Sequence, residues 1–140
     1  MKIIVVAAHP DDEVLGCGGT IARHIAEGDD VRVLILAEGL TSRIDQRQRN
    51  SLSEELSELK IAAHKANKII GVSSLEMLCL PDNRIDSLNQ LDVIKIVERF
   101  IEEIPPDIVY THSACDLNID HRRVHDAVVT ACRPTPEQSV

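Results

Sequence analysis

The sequence predicts an α/β layered fold of Rossmann-like type, with a mainly parallel sheet flanked by helices. Three observations carry that reading. A continuous apolar, β-branched run opens the chain over residues 2–8, apolar residues recur at spacings of three and four over 52–70 and 91–104, and strand-like segments alternate with helix-like ones. An unbroken apolar run suits a strand buried on both faces of a parallel sheet. The alternation implies crossover units, with ligands in the crevice beyond the carboxyl ends of the strands. At 140 residues the chain fits one domain, and residues 1–140 are taken as such.

The elements follow in order. Residues 2–8 form the first strand. Residues 14–27 form a helix ending at Gly28, where glycine accepts the positive φ of a C-cap. Val31 to Leu36 supply a second strand, completing one βαβ unit. Leu52, Leu56, Leu59, Ala63, Ala66 and Ile70 mark one face of a long helix that stops near Gly71. Leu75 to Leu80 read as a third strand closed by the turn Pro81-Asp82-Asn83, and Leu91, Ile94, Val97, Ile101 and Ile104 line a third helix ended by Pro105-Pro106. Asp107 to His112 form a fourth strand, and a last helix covers Asp120 to Cys132 before Pro134 and Pro136. There is no internal repeat.

Composition excludes several classes of function. A formal charge of -8 opposes binding to nucleic acid or anionic lipid, where affinity comes mainly from Lys and Arg. Phe100 and Tyr110 are the only aromatic residues of those types and there is no Trp, so a base-stacking platform is not expected. Cys17, Cys79, Cys115 and Cys132 contain no C-x-x-C pair and are expected to be reduced and mostly buried, which suggests a reducing compartment. The opening apolar run is short for a signal peptide and passes straight into His9-Pro10-Asp11-Asp12-Glu13, so the expected location is cytoplasmic, without a membrane span.

The segments after the strands carry the chemistry. His9 to Glu13 follow the first strand, Glu38-Gly39 the second, Asp82-Asn83 the third, and His112 through His121 the fourth. A histidine with carboxylates directly after a buried strand offers donors suited to zinc. His9 and Asp12 can reach one ion from a tight turn, leaving Asp11 free as a base, and a third ligand must come from another loop. His121 and His125 lie one helical turn apart and either fits that role. The zincin pattern H-E-x-x-H fails because Arg122 follows His121. The competing dinucleotide reading has Gly16-Cys17-Gly18-Gly19 after the first strand and Glu38 about 20 residues on. It lacks the last glycine, since Ile21 occupies that position, and three acids would repel a pyrophosphate at the helix N-terminus. Close packing of the helix on the sheet is the expected reason for the glycines. Plain helix capping would account for Asp11, Asp12 and Glu13, though not for His9.

The segment Ala8 to Glu13 with Gly18-Gly19 resembles the opening motif of the PIG-L/LmbE-like zinc-dependent N-acetylglucosaminyl deacetylases. Leu80-Pro81-Asp82-Asn83-Arg84 and Asp116 to Arg122 resemble later family segments in the same order. The resemblance implies Zn2+ held by His9, Asp12 and His121, Asp11 as general base, and hydrolysis of the acetamido group of an N-acetylglucosamine-type sugar. His125 is then a neighbour of the ligand set. Asn118 stands where many members carry a histidine thought to stabilise the tetrahedral intermediate. Its amide donates a hydrogen bond but delivers no proton. Glu38, Arg43, Arg47 and Asp82 are candidates for sugar hydroxyl contacts. Relatives continue well beyond the second motif, so the fold is expected to lack their C-terminal part, leaving a sheet edge or apolar face that favours self-association into a homo-oligomer. Two alternatives remain: a metal-binding domain without turnover, and a Rossmann-like nucleotide-binding module.

Overall fold

A computed structural model describes residues 1–45 and 47–134, so Pro136 and the rest of the expected helix-stopping segment after Pro134 fall outside the described residues. The chain alternates β1 (Lys2–Ala7), α1 (Asp12–Ala26), β2 (Asp30–Ala37), α2 (Ser53–Ile70), β3 (Ser74–Leu80), α3 (Gln90–Glu103), β4 (Ile108–Tyr110) and α4 (Ile119–Ala131). The strands form one parallel sheet in the order β3-β2-β1-β4, with Val5 opposite both Val33 and Tyr110. The order reverses direction between β1 and β4, which makes the crevice above those two strands the expected ligand site.

The buried run of β1 divides its side chains between two cores, as strand periodicity requires. Ile3, Val5 and Ala7 pack with Val31, Val33, Ile35 and Ile21 of α1 on one face. Ile4, Val6 and Ala8 pack with Leu34, Leu36, Val93, Val97, Val124 and Val128 on the other, beneath α3 and α4. The predicted face of α2 is the one turned inward, with Ala63 buried and Leu52, Leu56, Leu59, Ala66 and Ile70 half-buried. Gly71 ends that helix at φ +102°, a left-handed conformation that glycine adopts without a Cβ clash. Tyr110 Oη and His24 Nε2 lie 3.0 Å apart and tie β4 to α1.

Three expectations need correction. The glycines of α1 do not serve close packing on the sheet. A Cβ at Gly16 or Gly19 would meet nothing within 4 Å, and one at Gly18 would only touch Val14 and Ile70 at ordinary distance. Their effect is on the helix itself, which is kinked at Cys17 (φ -140°, ψ 18°), between glycines that weaken the helical preference on both sides. The cysteines are unpaired, but Cys79, Cys115 and Cys132 are exposed and only Cys17 is half-buried. Finally, β4 stops at Tyr110 rather than His112. Beyond it, side chains replace the backbone ladder: Thr111 Oγ1 donates to the Val6 carbonyl (3.0 Å), and the Ala8 N–H donates to His112 Nε2 (2.8 Å). The two strands part there and open the crevice. Among the described residues, no helix is long and apolar enough to cross a membrane.

Candidate functional site

The turn after β1 is built by its own side chains. The Asp12 carboxylate accepts the backbone N–H of His9 at 2.8 Å, and the Asp12 N–H returns to the His9 carbonyl at 3.3 Å. This folds the turn back so that the same Asp12 Oδ2 lies 3.3 Å from His9 Nδ1. Asp11 occupies the corner at φ 149°, a region that residues with a Cβ rarely adopt. Its conformation is held by buried Glu13, whose Oε2 accepts the Asp11 N–H (3.1 Å) while Oε1 accepts Asn67 Nδ2 of α2 (2.7 Å). The Asp11 side chain caps no helix N–H. Plain capping therefore does not account for it.

Helix α4 brings its histidine to this turn. Asn118 caps the helix, its Oδ1 accepting the N–H groups of Asp120 (2.8 Å) and His121 (3.4 Å). His121 Nε2 then lies 3.3 Å from His9 Nδ1 and 3.2 Å from Asp12 Oδ2. The outer nitrogen of each ring faces carboxylates. His9 Nε2 is 3.0 Å from Asp120 Oδ2 and 3.2 Å from Asp82 Oδ1, and His121 Nδ1 is 3.0 Å from Asp116 Oδ2. Carboxylates accept only, so in the neutral rings these outer nitrogens carry the hydrogens. The inner nitrogens are then lone pairs facing each other and the Asp12 oxygen. A shared cation or proton relieves that arrangement, and two imidazoles plus a carboxylate fit zinc.

The electrostatics follow from these contacts. Burial disfavours a charge on His9, yet hydrogen bonds to Asp12, Asp120 and Asp82 outweigh it and raise the ring to about 11. Burial pushes Asp82 up, but bonds from His9 and Ser42 bring it down to about 2. Asp12 is also drawn below its usual value, its burial outweighed by His9. Asp11 moves the other way: burial, then the neighbouring Asp12 charge, raise it. His112 stacks on His121 with ring centroids 3.9 Å apart and planes 18° from parallel. Burial and then the His121 charge lower it to about 4.

The structure thus brings His9, Asp12 and His121 together, with Asp11 and Asn118 lining the same open cavity of about 410 Å³. A second group, His112, Asp116 and His121, also lies close, but nearly parallel stacked rings aim their in-plane lone pairs alongside each other rather than at one point. His125 stays outside and meets the His112 carbonyl through Nδ1 at 2.8 Å. Of the four residues expected to meet sugar hydroxyls, only Arg43 stands exposed at the cavity without an ion pair among the described residues. Glu38 is buried and taken up by Arg47 (2.8 Å), Arg49 (2.6 Å) and Thr41 (2.8 Å), and Asp82 accepts Ser42 N–H at 3.0 Å. These groups hold the loop after β2. Gly39 lies in that loop at φ +71°, where a Cβ would come within 3.0 Å of Leu59 and 3.3 Å of Pro10.

Asp120 was not among the residues that the sequence singled out, although a signal existed. It lies on the apolar stripe of Val124, Ala127 and Val128, four, seven and eight residues on, where an acid must be buried and partnered. Its fully buried carboxylate accepts Asn83 N–H (2.7 Å) and Ile85 N–H (2.9 Å) besides facing His9.

The family model for PIG-L, described as GlcNAc-PI de-N-acetylase, matches residues 4–132. The chain belongs to the PIG-L family. The uncharacterized deacetylase YaiS of Escherichia coli K12 is 31% identical over 96% of this chain and 70% of its own length. A probable N-acetyl-α-D-glucosaminyl L-malate deacetylase of Bacillus anthracis is 23% identical over 96% of this chain and 61% of its own. N,N'-diacetylchitobiose deacetylase from Pyrococcus horikoshii superposes with a TM-score of 0.76 at 20% identity, covering 93% of this chain and 48% of that one. The fold is also that of GalB, the 4-carboxy-2-hydroxymuconate hydratase of Pseudomonas putida KT2440 (TM-score 0.77, 24% identity, 93% of this chain and 55% of that one). The chain therefore spans about half the length of these solved structures.

Proposed function

We propose that this PIG-L chain carries the reactive centre of a zinc-dependent N-deacetylase acting on an N-acetylglucosamine-type sugar or glycoconjugate. The observation that carries the reading is the convergence of His9 Nδ1, His121 Nε2 and Asp12 Oδ2 to 3.2–3.3 Å of one another at the mouth of a polar cavity. Family membership and the substrates in the names of its deacetylase relatives point to the acetamido group. Zinc held by His9, Asp12 and His121 would supply Lewis acidity for the amide carbonyl and for a water molecule.

The chain's own residues account for the proton traffic. Water adds to the acetamido carbon, the C–N bond breaks, and acetate and an amine leave. Asp11 lines the cavity free of capping duty and takes the proton from water. Its raised carboxyl then suits return of that proton to the departing nitrogen. Asn118 spends Oδ1 on the α4 cap and one Nδ2 hydrogen on Asn83 Oδ1 (2.9 Å), leaving one N–H for the developing oxyanion. It transfers no proton, so Asp11 serves as both base and acid. Arg43 is the candidate for substrate contact at the cavity rim. The acids at the head of α1 leave no welcome for a pyrophosphate, against the nucleotide reading.

The test is acetate release from a panel of N-acetylhexosamine derivatives by zinc-loaded protein, with Asp11→Asn as control. Release by the parent and its loss in the variant are expected. Zinc binding without release across the panel would leave a metal-binding domain without turnover. Hydration of an unsaturated hydroxy acid without acetate release would move the assignment toward the chemistry of GalB.

A further inference from the structure

The histidine beneath the ligand cluster has no part in the chemistry above. His112 follows β4, lines the cavity on the far side of Asp12 together with Cys17, Tyr110 and Ser113, and is absent from the lining of the cavity that holds Asp11 and Asn118. Its ring meets both halves of the proposed ligand set, and its Nε2 also lies 3.6 Å from Asp12 Oδ2. Nε2 accepts the N–H of Ala8, the residue immediately before His9, at 2.8 Å. The ring face stacks on His121 at 3.9 Å. The Ala8 carbonyl is in turn held by the Ala37 N–H at 2.8 Å, so both backbone polar groups of Ala8 are held, one of them by His112, on the residue that leads into His9. His112 is itself held from behind through its carbonyl, which meets His125 Nδ1 at 2.8 Å.

The two halves come from opposite ends of the sequence. His9 rides on β1, His121 on α4, and β1 and β4 have already parted at this level. A ligand set that spans a splayed pair of elements needs a brace, and an acceptor nitrogen plus a flat face is what this position provides. We propose that His112 is a positioning residue that braces the His9 and His121 halves of the metal site against each other, through the Ala8 hydrogen bond and the His121 stack. The inference rests on the metal reading above. Partners of this kind around metal ligands are worth roughly 10–100-fold in metal affinity.

The test uses three variants that separate the two contacts. His112→Phe keeps a stacking ring and removes the acceptor, His112→Gln keeps an acceptor and removes the ring, and His112→Ala removes both. Zinc Kd is measured by chelator competition on protein shown to be folded by circular dichroism, with the absorption spectrum of the cobalt-loaded form as a report of ligand geometry. Each single loss is expected to weaken zinc roughly tenfold and to alter the cobalt spectrum, with Ala the weakest of any that fold. Hydrogen exchange at the Ala8 amide of the metal-free protein is expected to speed up in Phe and to stay slow in Gln. A folded Phe or Gln variant that binds zinc within twofold of the parent, with an unchanged cobalt spectrum, would overturn the bracing role and leave the metal reading standing. A parent that takes up no zinc would overturn the metal reading and this inference with it.

Discussion

Asp11 and Asp12 are neighbours with opposite environments. Asp12 is surrounded by His9, His121 and His112 and is drawn below its usual value, whereas Asp11 stands at a strained corner and is raised. That split suits a ligand that stays ionised beside a group that exchanges a proton. Asp11→Asn is therefore expected to keep the zinc and lose roughly 10²-fold or more of acetate release, read by parallel metal analysis and turnover. Replacing His9, Asp12 or His121 by Ala should instead remove zinc, because two remaining ligands do not offset the metal's hydration, while His125→Ala should weaken it less. Unchanged zinc content in all three ligand variants would reject the assignment. Asp120→Asn tests the support behind His9: the amide cannot accept from His9, Asn83 and Ile85 together, so zinc affinity should fall roughly 10–100-fold with a stability loss of about 1–3 kcal/mol. Retained affinity measured by chelator competition would show that Asp82 alone orients the ring.

At the scale of elements, the loop between β2 and α2 is organised by one carboxylate. Burial pushes Glu38 up, but bonds from Arg47 and Thr41 and the charge of Arg49 outweigh it and leave it below its ordinary value. A carboxylate lowered in the folded state contributes stability that is present above its unfolded value and lost as pH falls through the folded one. Glu38→Gln should therefore lower stability at neutral pH by about 1–3 kcal/mol and flatten the acid limb below about pH 4.5, as followed by thermal melts against pH. An unchanged acid limb would count against this anchor. The alternating strands and the stripe from Leu52 to Ile70 were legible because burial acts on periodicity directly. The end of β4 was not, since Thr111 and His112 are apolar-compatible strand residues whose side chains, in the fold, take over the ladder. Nor was the duty of Glu38 and Asp82, because an acid that holds a loop and an acid that holds a sugar look alike until their partners are placed. Gly16 and Gly19 misled for a related reason: spacing cannot tell a tightly packed glycine from one with open space around it.

The molecule as a whole places four post-strand segments at one edge of a sheet ordered β3-β2-β1-β4, and the cluster sits where β1 and β4 part. That location follows from topology, which was readable from the βαβ pattern. Which of His121 and His125 lies against Asp12 was not readable from spacing, since both share a helix face; the Asn118 cap and the register of α4 put His121 there and His125 against the His112 carbonyl. The central claim is that one cation joins the first turn to the fourth helix. Anomalous diffraction at the zinc absorption edge from crystals of the zinc-loaded protein tests it most directly. The account predicts a peak about 2.0–2.2 Å from His9 Nδ1, His121 Nε2 and an Asp12 carboxylate oxygen. A peak bound instead by His112 and Asp116, or none at this cluster in zinc-saturated protein, would contradict it.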